Sequence, residues 1–342
     1  MTFFSIVIDE IIIIIYYKYI FFTEVRFMKI VITDAMTVTQ GDIDINIFSK
    51  FGELQVYQST MPEEISERIK DANIVLCNKT PLTEPVLKTA KELKYIGLFA
   101  TGYNNIDIPY CQKAGITVCN AGSYSTYAVA QHTFALILEH YTKVGKYNEF
   151  VQDGGWSASP CFSPFVFATD ELYEKTIGII GYGYIGQKVA DIALAFGMKV
   201  KIFTRTKIGD PRVEFVSFDE LLHDSDIITV HCPLTPQTEN IMNYESFCKC
   251  KPSAVYINTA RGGVNNENDL ARALKEGKIA GAAIDVLSNE PMSKDCPLTG
   301  IENLIITPHV AWAPLSTRKR LMGIVEGNIQ SFINGKPINV VS

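Results

Sequence analysis

IGIIGYGYIG, residues 177–186, decides the fold: a short apolar run enters a Gly-x-Gly-x-x-Gly turn, and helical apolar spacing over Gln187–Gly197 leaves it. A strand that turns through glycines into a helix is what a dinucleotide requires. Gly181 allows the tight turn, Gly183 lets the backbone approach a pyrophosphate, and Gly186 lets the new helix pack on its strand, so that the helix N-terminus faces the phosphates. The glycine pattern alone is weak. Its flanking strand and helix make it specific.

The usual fingerprint ends in an acidic residue about 20 positions on, which accepts the ribose hydroxyls of NAD. Here the second strand is Lys199–Phe203, and Thr204, eighteen positions after Gly186, is followed by Arg205, Thr206 and Lys207. No carboxylate at this place repels a 2′-phosphate, and a guanidinium plus two hydroxyls are placed to bind one. NADP is therefore favoured over NAD. Solvated loop charges at Arg205 and Lys207 are the plainer alternative.

Around this motif, strand and helix patterns alternate. From Met28 onward, Lys29–Thr33, Glu53–Tyr57, Ile74–Cys77, Tyr95–Phe99 and Ile116–Cys119 read as strands, with helices such as Glu63–Ala72 and Glu84–Leu93 between them. One long helical stretch from about Thr126 to Val151, with Ala128, His132, Ala135, Leu136 and Leu138 on its apolar side, leads into a second sheet. Its strands are Ile177–Ile180, Val200–Phe203, Ile227–His231, Ala254–Asn258, Ala282–Val286 and Leu304–Thr307. The fold class is α/β. A last helix, Ser316–Ile333, is expected to return to the first domain and make the crossing points a hinge. The expected division is an extension over 1–27, a first domain over 28–125, a dinucleotide-binding domain over 126–313, and a returning segment over 314–342.

Composition narrows the function classes. The 342 residues are 47% hydrophobic and 20% charged, enough for two domains with real cores, and the net charge of −6 offers no basic face. Nucleic-acid and anionic-membrane partners are disfavoured. Eight cysteines occur without a CxxC pair, Cys248-x-Cys250 standing alone, as in a reduced cytoplasmic protein. No metal ligands are assigned. Residues 1–27 do not match the rest: the apolar run Ile11–Phe22 is broken by Lys18, lacks a basic leader, and falls short of a membrane span. A folded protein beginning at Met28 is expected, with a membrane anchor as the alternative.

Beyond the glycine turn, HCPLTPQT at 231–238, INTARGG at 257–263, AAIDVLSNEP at 282–291 and TPHVAW at 307–312 complete an ordered set. Together with GYGYIG they resemble the D-isomer-specific 2-hydroxyacid dehydrogenases, over essentially everything from Met28 on. The resemblance implies two doubly wound parallel-sheet domains around a cleft, a Rossmann cofactor domain and a flavodoxin-like substrate domain, and a homodimer built through the cofactor domain. It also turns three residues into a catalytic set. Reducing a 2-oxo acid needs a proton for the developing alkoxide and a cation for the carboxylate. His309, just past a strand end, suits the first, because imidazole gives and takes protons near neutrality. Standing alone it would be a structural histidine; within TPHVAW it is the proton donor. Glu290 matches the family carboxylate that holds the imidazole by its other nitrogen and favours the imidazolium. Arg261, before two glycines, can grip a carboxylate with two parallel hydrogen bonds.

The same resemblance implies further contacts. Tyr184 and Ile185 present backbone amides to the pyrophosphate, and Cys232, Pro233 and Thr238 line the adenosine side. Thr133, Thr259, Ala260 and Asp285 lie near the nicotinamide, with Asp285 orienting the carboxamide. Ala100–Asn104 resembles the substrate loop, where Thr101 and Gly102 are chosen. Asn78-Lys79-Thr80 forms the opposite lip, although a solvated lysine explains Lys79 equally well. Trp312, with the Gly155–Ser157 element, points to the glycerate dehydrogenase/hydroxypyruvate reductase branch, hence to a small polar 2-oxo acid. Phosphoglycerate and D-lactate are the runners-up. An NAD(P)H-sensing corepressor-like role, working through partner proteins, remains the alternative of a different class. Asn265-Asn266 replaces the more usual Val-Asp, a departure expected to touch only local helix capping.

Overall fold

Uniform apolar runs such as IVI at 30–32 and IVLC at 74–77 suit strands buried on both faces, the signature of a parallel sheet covered by helices. The structure, a computed structural model, describes residues 28–206 and 209–342, so the 1–27 segment and Lys207 lie outside the described residues. Two compact units divide the chain: the described residues up to Tyr124 together with Leu315–Ser342, and Ser125–Pro314.

In the first unit the described strands are β1 (Lys29–Ile32), β2 (Glu53–Val56), β3 (Ile74–Cys77), β4 (Tyr95–Leu98) and β5 (Thr117–Cys119), in the order β2-β1-β3-β4-β5. Every pairing is parallel, with Ile30 opposite both Leu54 and Ile74. One face buries Val31, Val75, Ile96 and Val118 against Ile65 and Ile69. The C-terminal helix, Leu315–Ile333, buries Leu321, Val325 and Ile329 and sets the Phe332 ring 4.8 Å from that of Tyr95. The helices around the sheet are shorter than their sequence pattern suggests: Glu84–Leu87 is a single turn, and Ile65–Ile69 follows a 3-10 turn at Pro62–Glu64.

The second unit adds β6 (Thr176–Ile180), β7 (Lys199–Phe203), β8 (Glu214–Phe215), β9 (Ile227–Val230), β10 (Val255–Asn258), β11 (Gly281–Ile284) and β12 (Leu304–Ile306). Their order is β12-β11-β10-β9-β6-β7-β8, again all parallel. Alternation along β6 shows why helices cover both faces. Ile177 and Ile179 pack with Phe134, Ile137 and Val189 on one side, while Ile180 joins Val230, Phe247 and Leu270 on the other. The two-residue β8 has too little pattern to be read from sequence. The fold is α/β, built on two doubly wound parallel sheets.

The expected helix from Thr126 to Val151 is two helices, α1 (Thr126–Thr142) and α2 (Val144–Gln152). They are broken at Lys143, whose φ of 51° is left-handed. Ala128 and Leu136 are buried as expected, but Ala135 is exposed and His132 and Leu138 are half-buried; Val129, Ala130, Thr133, Phe134, Ile137 and Tyr141 complete the buried face. No helix among the described residues is long and apolar enough to cross a membrane.

Candidate active site

The strand order reverses between β6 and β9, and in such sheets ligands bind beyond the carboxyl ends of the strands at this reversal. The glycine turn sits there. Gly181 has φ +98°, and a Cβ on it would lie 2.6 Å from the His231 carbonyl oxygen that follows β9. A Cβ on Gly186 would lie 2.2 Å from the Gly181 carbonyl, so helix α3 (Tyr184–Ala195) can seat on the turn only without a side chain there. At Gly183, by contrast, a Cβ would meet nothing within 4 Å, which leaves the approach a phosphate needs. Gly183 caps α3, and the first-turn amides of Tyr184, Ile185 and Gly186 have no carbonyl within the helix to satisfy them. These residues fit a dinucleotide pyrophosphate.

Thr204 is half-buried just past β7, with Arg205 and Thr206 exposed beside it. The first carboxylate beyond them among the described residues is Asp210, which takes the Tyr182 hydroxyl at 2.7 Å and the Arg212 guanidinium. That pairing holds the Asp210 carboxyl well below the usual range. Past β9, burial pushes the His231 ring down to about 3, and its Nε2 pairs with Thr229 Oγ1 at 2.9 Å. Cys232 follows, its thiol pushed up to about 11 by burial. Thr238 Oγ1 donates to the carbonyl of exposed Pro233 at 2.7 Å and accepts from Thr235 N at 2.8 Å, closing the loop on itself.

Arg261, Glu290 and His309 lie past the ends of the adjacent strands β10, β11 and β12, which register Asn258 with Ile284 and Ile284 with Ile306. Arg261 is exposed. Its turn is held from below: Asn258 Nδ2 donates to the Arg261 carbonyl at 2.9 Å and Ala260 N donates to Asn258 Oδ1 at 3.0 Å. A Cβ on Gly262 would lie 1.9 Å from the Leu287 carbonyl carbon, so this turn rests directly on the segment leading to Glu290. Glu290 Oε1 accepts from Leu287 N at 3.0 Å, and Oε2 lies 2.7 Å from His309 Nδ1.

His309 has φ +55°, a left-handed conformation that costs about 1–2 kcal/mol for a residue with a side chain. What holds it there is Asp285, 1% exposed. Asp285 Oδ1 accepts from Val310 N at 2.9 Å and Thr307 Oγ1 at 2.5 Å, Oδ2 from Ala311 N at 2.9 Å, and its carbonyl from His309 N at 2.8 Å. Hydrogen bonds to a charged acceptor are each worth about 1.5–3 kcal/mol, which outweighs the backbone cost. The carboxylate expected to orient a carboxamide thus also holds the His309 turn. Thr133 Oγ1 and Thr259 Oγ1, both buried, lie 3.0 Å apart beside half-buried Ala260, and Trp312 follows Ala311, also half-buried.

In the first unit, Asp34 plays a similar part. Its buried carboxylate accepts from the backbone amides of Asn78, Lys79 and Thr80 at 2.7–3.1 Å and from Thr80 Oγ1 at 2.9 Å. Asn105 Nδ2 donates to the Thr80 carbonyl at 2.9 Å. Thr101 Oγ1 donates to the Gly122 carbonyl, and the Thr101 carbonyl accepts from Asn120 Nδ2 at 2.7 Å. The Lys79 and Thr101 side chains are exposed, and Gly102 is half-buried.

The model of the D-isomer specific 2-hydroxyacid dehydrogenase NAD binding domain matches residues 134–311, the span that holds the glycine turn, Arg261, Glu290 and His309. The chain belongs to the D-isomer-specific 2-hydroxyacid dehydrogenase family. A hydroxypyruvate reductase of Blautia hydrogenotrophica is 42% identical over 321 residues, covering 92% of this chain and 100% of that protein. A glycerate dehydrogenase of Methylorubrum extorquens is 38% identical over 316 residues, covering 92% and 98%. Among solved structures, an acyclic imino acid reductase in complex with NADPH and D-Arg superposes with TM-score 0.82 at 34% identity, covering 92% of this chain and 100% of that one.

Against the pattern of these dehydrogenases, the Asn265-Asn266 departure reaches further than helix capping. Asn266 does cap the helix Glu267–Lys275, accepting from Asp269 N at 3.1 Å. Asn265, 1% exposed, accepts from Tyr256 OH at 3.2 Å and from Asn258 Nδ2 at 2.8 Å, and so braces the residue beneath Arg261. Sequence reasoning passed over Asp34 and Asn105 because each acts on backbone groups of a distant segment, and over Asn258, which braces the turn within its own motif. The departure from Val-Asp was the one visible signal, and it marks Asn265.

Proposed function

We propose that this protein reduces a small polar 2-oxo acid of the hydroxypyruvate or glyoxylate type to the D-2-hydroxy acid with NAD(P)H. One observation carries the reading: His309 Nδ1 is engaged by Glu290 at 2.7 Å, at the strand edge that also bears the Arg261 turn. With Nδ1 taken, proton transfer falls to Nε2. Arg261 holds the substrate carboxylate by its two-pronged guanidinium and polarises the adjacent carbonyl. His309 then donates its proton to the oxygen that becomes the D-hydroxyl. When bound, the nicotinamide supplies the hydride that the carbonyl carbon accepts.

The residues proposed to hold that cofactor are Gly181, Gly183, Tyr184, Ile185 and Gly186 at the pyrophosphate, Cys232, Pro233 and Thr238 at the adenosine, and Thr133, Thr259, Ala260 and Asp285 near the nicotinamide. Preference for NADP over NAD is supported by neutral Thr204 and by Arg205 and Thr206 past β7. Lys79, Thr101, Gly102 and Trp312 are assigned to the substrate. A homodimer belongs to the same proposal. It is supported by the apolar segment of the second unit in which Trp156, Phe162 and Phe165 are 51%, 90% and 91% exposed.

The test is a panel of hydroxypyruvate, glyoxylate, pyruvate and phenylpyruvate against NADPH and NADH. The expected result is the highest kcat/KM for hydroxypyruvate or glyoxylate with NADPH. A purified protein that turns over none of the four, while still binding nicotinamide cofactor, points to a sensing role instead.

A further inference from the structure

A polar cluster that the mechanism above does not use lies behind the His309 turn. His132, on α1, places Nε2 3.0 Å from Thr307 Oγ1, and Thr307 Oγ1 is 2.5 Å from Asp285 Oδ1. Counting protons fixes the direction of this chain. An ionised carboxylate only accepts, so the single hydroxyl proton of Thr307 goes to Asp285. Thr307 Oγ1 must then accept from the imidazole, which puts a proton on Nε2 of His132. The 3.5 Å between His132 Nε2 and Asp285 Oδ1 agrees with the same donor.

The chain ends on the backbone that carries His309. The Asp285 carboxylate takes the amides of Val310 and Ala311, and its carbonyl takes that of His309 itself. A hydroxyl left alone can turn, and a carboxylate that loses one partner can rotate with it. The His132 ring, fixed on a helix outside the sheet, removes both freedoms. We propose that His132 is a positioning residue: acting through Thr307 and Asp285, it fixes the left-handed turn that presents His309 to the 2-oxo acid. This rests on His309 being the proton donor.

Thr307→Val removes the hydroxyl at constant shape, and Thr307→Ser restores it. His132→Leu and His132→Gln form the matching pair, since the glutamine amide can still donate to Thr307. Each is measured for kcat, KM for hydroxypyruvate, NADPH dissociation constant and melting temperature, in the wild type and in His309→Gln. Thr307→Val should lower kcat about tenfold, the scale of one hydrogen bond, with KM and NADPH affinity within about twofold. Serine should recover most of the loss, and His132→Leu and His132→Gln should follow the same pattern. In the His309→Gln background, Thr307→Val should add little, because the group being positioned is gone.

An unchanged kcat in Thr307→Val or in His132→Leu overturns the proposal, as does a loss that persists undiminished without His309. A loss that only follows a lower melting temperature, and that serine fails to restore, overturns it as well. Should His309→Gln itself retain activity, the proton-donor reading falls and this one with it. A large loss in His309→Gln beside none in Thr307→Val removes the positioning chain alone.

Discussion

Glu290 divides its two carboxylate oxygens between the His309 ring, 2.7 Å from Nδ1, and the Leu287 amide, 3.0 Å away. The ring is therefore aimed by a group that is itself aimed by the backbone. Glu290→Gln keeps the shape but loses the charge, and one of its two positions now presents an NH2. A charge-assisted hydrogen bond is worth about 1.5–3 kcal/mol, so kcat should fall about 10- to 150-fold while NADPH affinity is kept. Steady-state kinetics beside a cofactor titration check this, and an unchanged kcat removes Glu290 from the mechanism.

Arg261→Lys conserves charge and loses the fork. Because a lysine cannot form two parallel hydrogen bonds to a carboxylate, kcat/KM for hydroxypyruvate should fall about tenfold or more. Kinetics equal to the wild type would rule out a bidentate clamp.

The loop after β7 makes a prediction about the cofactor. A 2′-phosphate is close to dianionic at neutral pH, and Arg205 would add a charge-assisted bond of about 1.5–3 kcal/mol, or about 10- to 150-fold in preference. Thr204→Asp combined with Arg205→Ala should shift preference from NADPH towards NADH, mainly through KM. A wild type that already prefers NADH tenfold contradicts this account of the loop.

His140, half-buried on α1, bears on stability. Burial lowers its ring from 6.5 to about 4 in the folded protein. As the pH falls through this window, the unfolded chain takes up a proton that the folded chain refuses, so stability is full above about 6.5 and is lost progressively towards 4. Calorimetry from pH 7 to 4 should show a steeper decline of Tm in the wild type than in His140→Gln. Parallel curves would mean that the ring titrates alike in both states.

How much of this was legible in the sequence follows the range of each interaction. The glycine turn was readable because its causes are local: a strand, three glycines and a helix within one short stretch. So were the strands, whose apolar runs need no partner to be recognised. The break at Lys143 was not, since a lysine carries no turn signal that would announce its left-handed φ. His309 and Glu290 could be named, and the structure places them together. The work of Asp285 could not be read, because its partners are backbone amides 25 and 26 residues away. Asp34 escaped for the same reason, at separations of 44–46 residues.

The most direct test of the central claim is the rate of hydroxypyruvate reduction by His309→Gln, set against the wild type at saturating NADPH. Removing a general acid typically costs about 10²–10⁴-fold, and the account predicts a loss of that size in kcat with NADPH affinity retained. A variant within threefold of the wild type would contradict it and move the proton donor elsewhere.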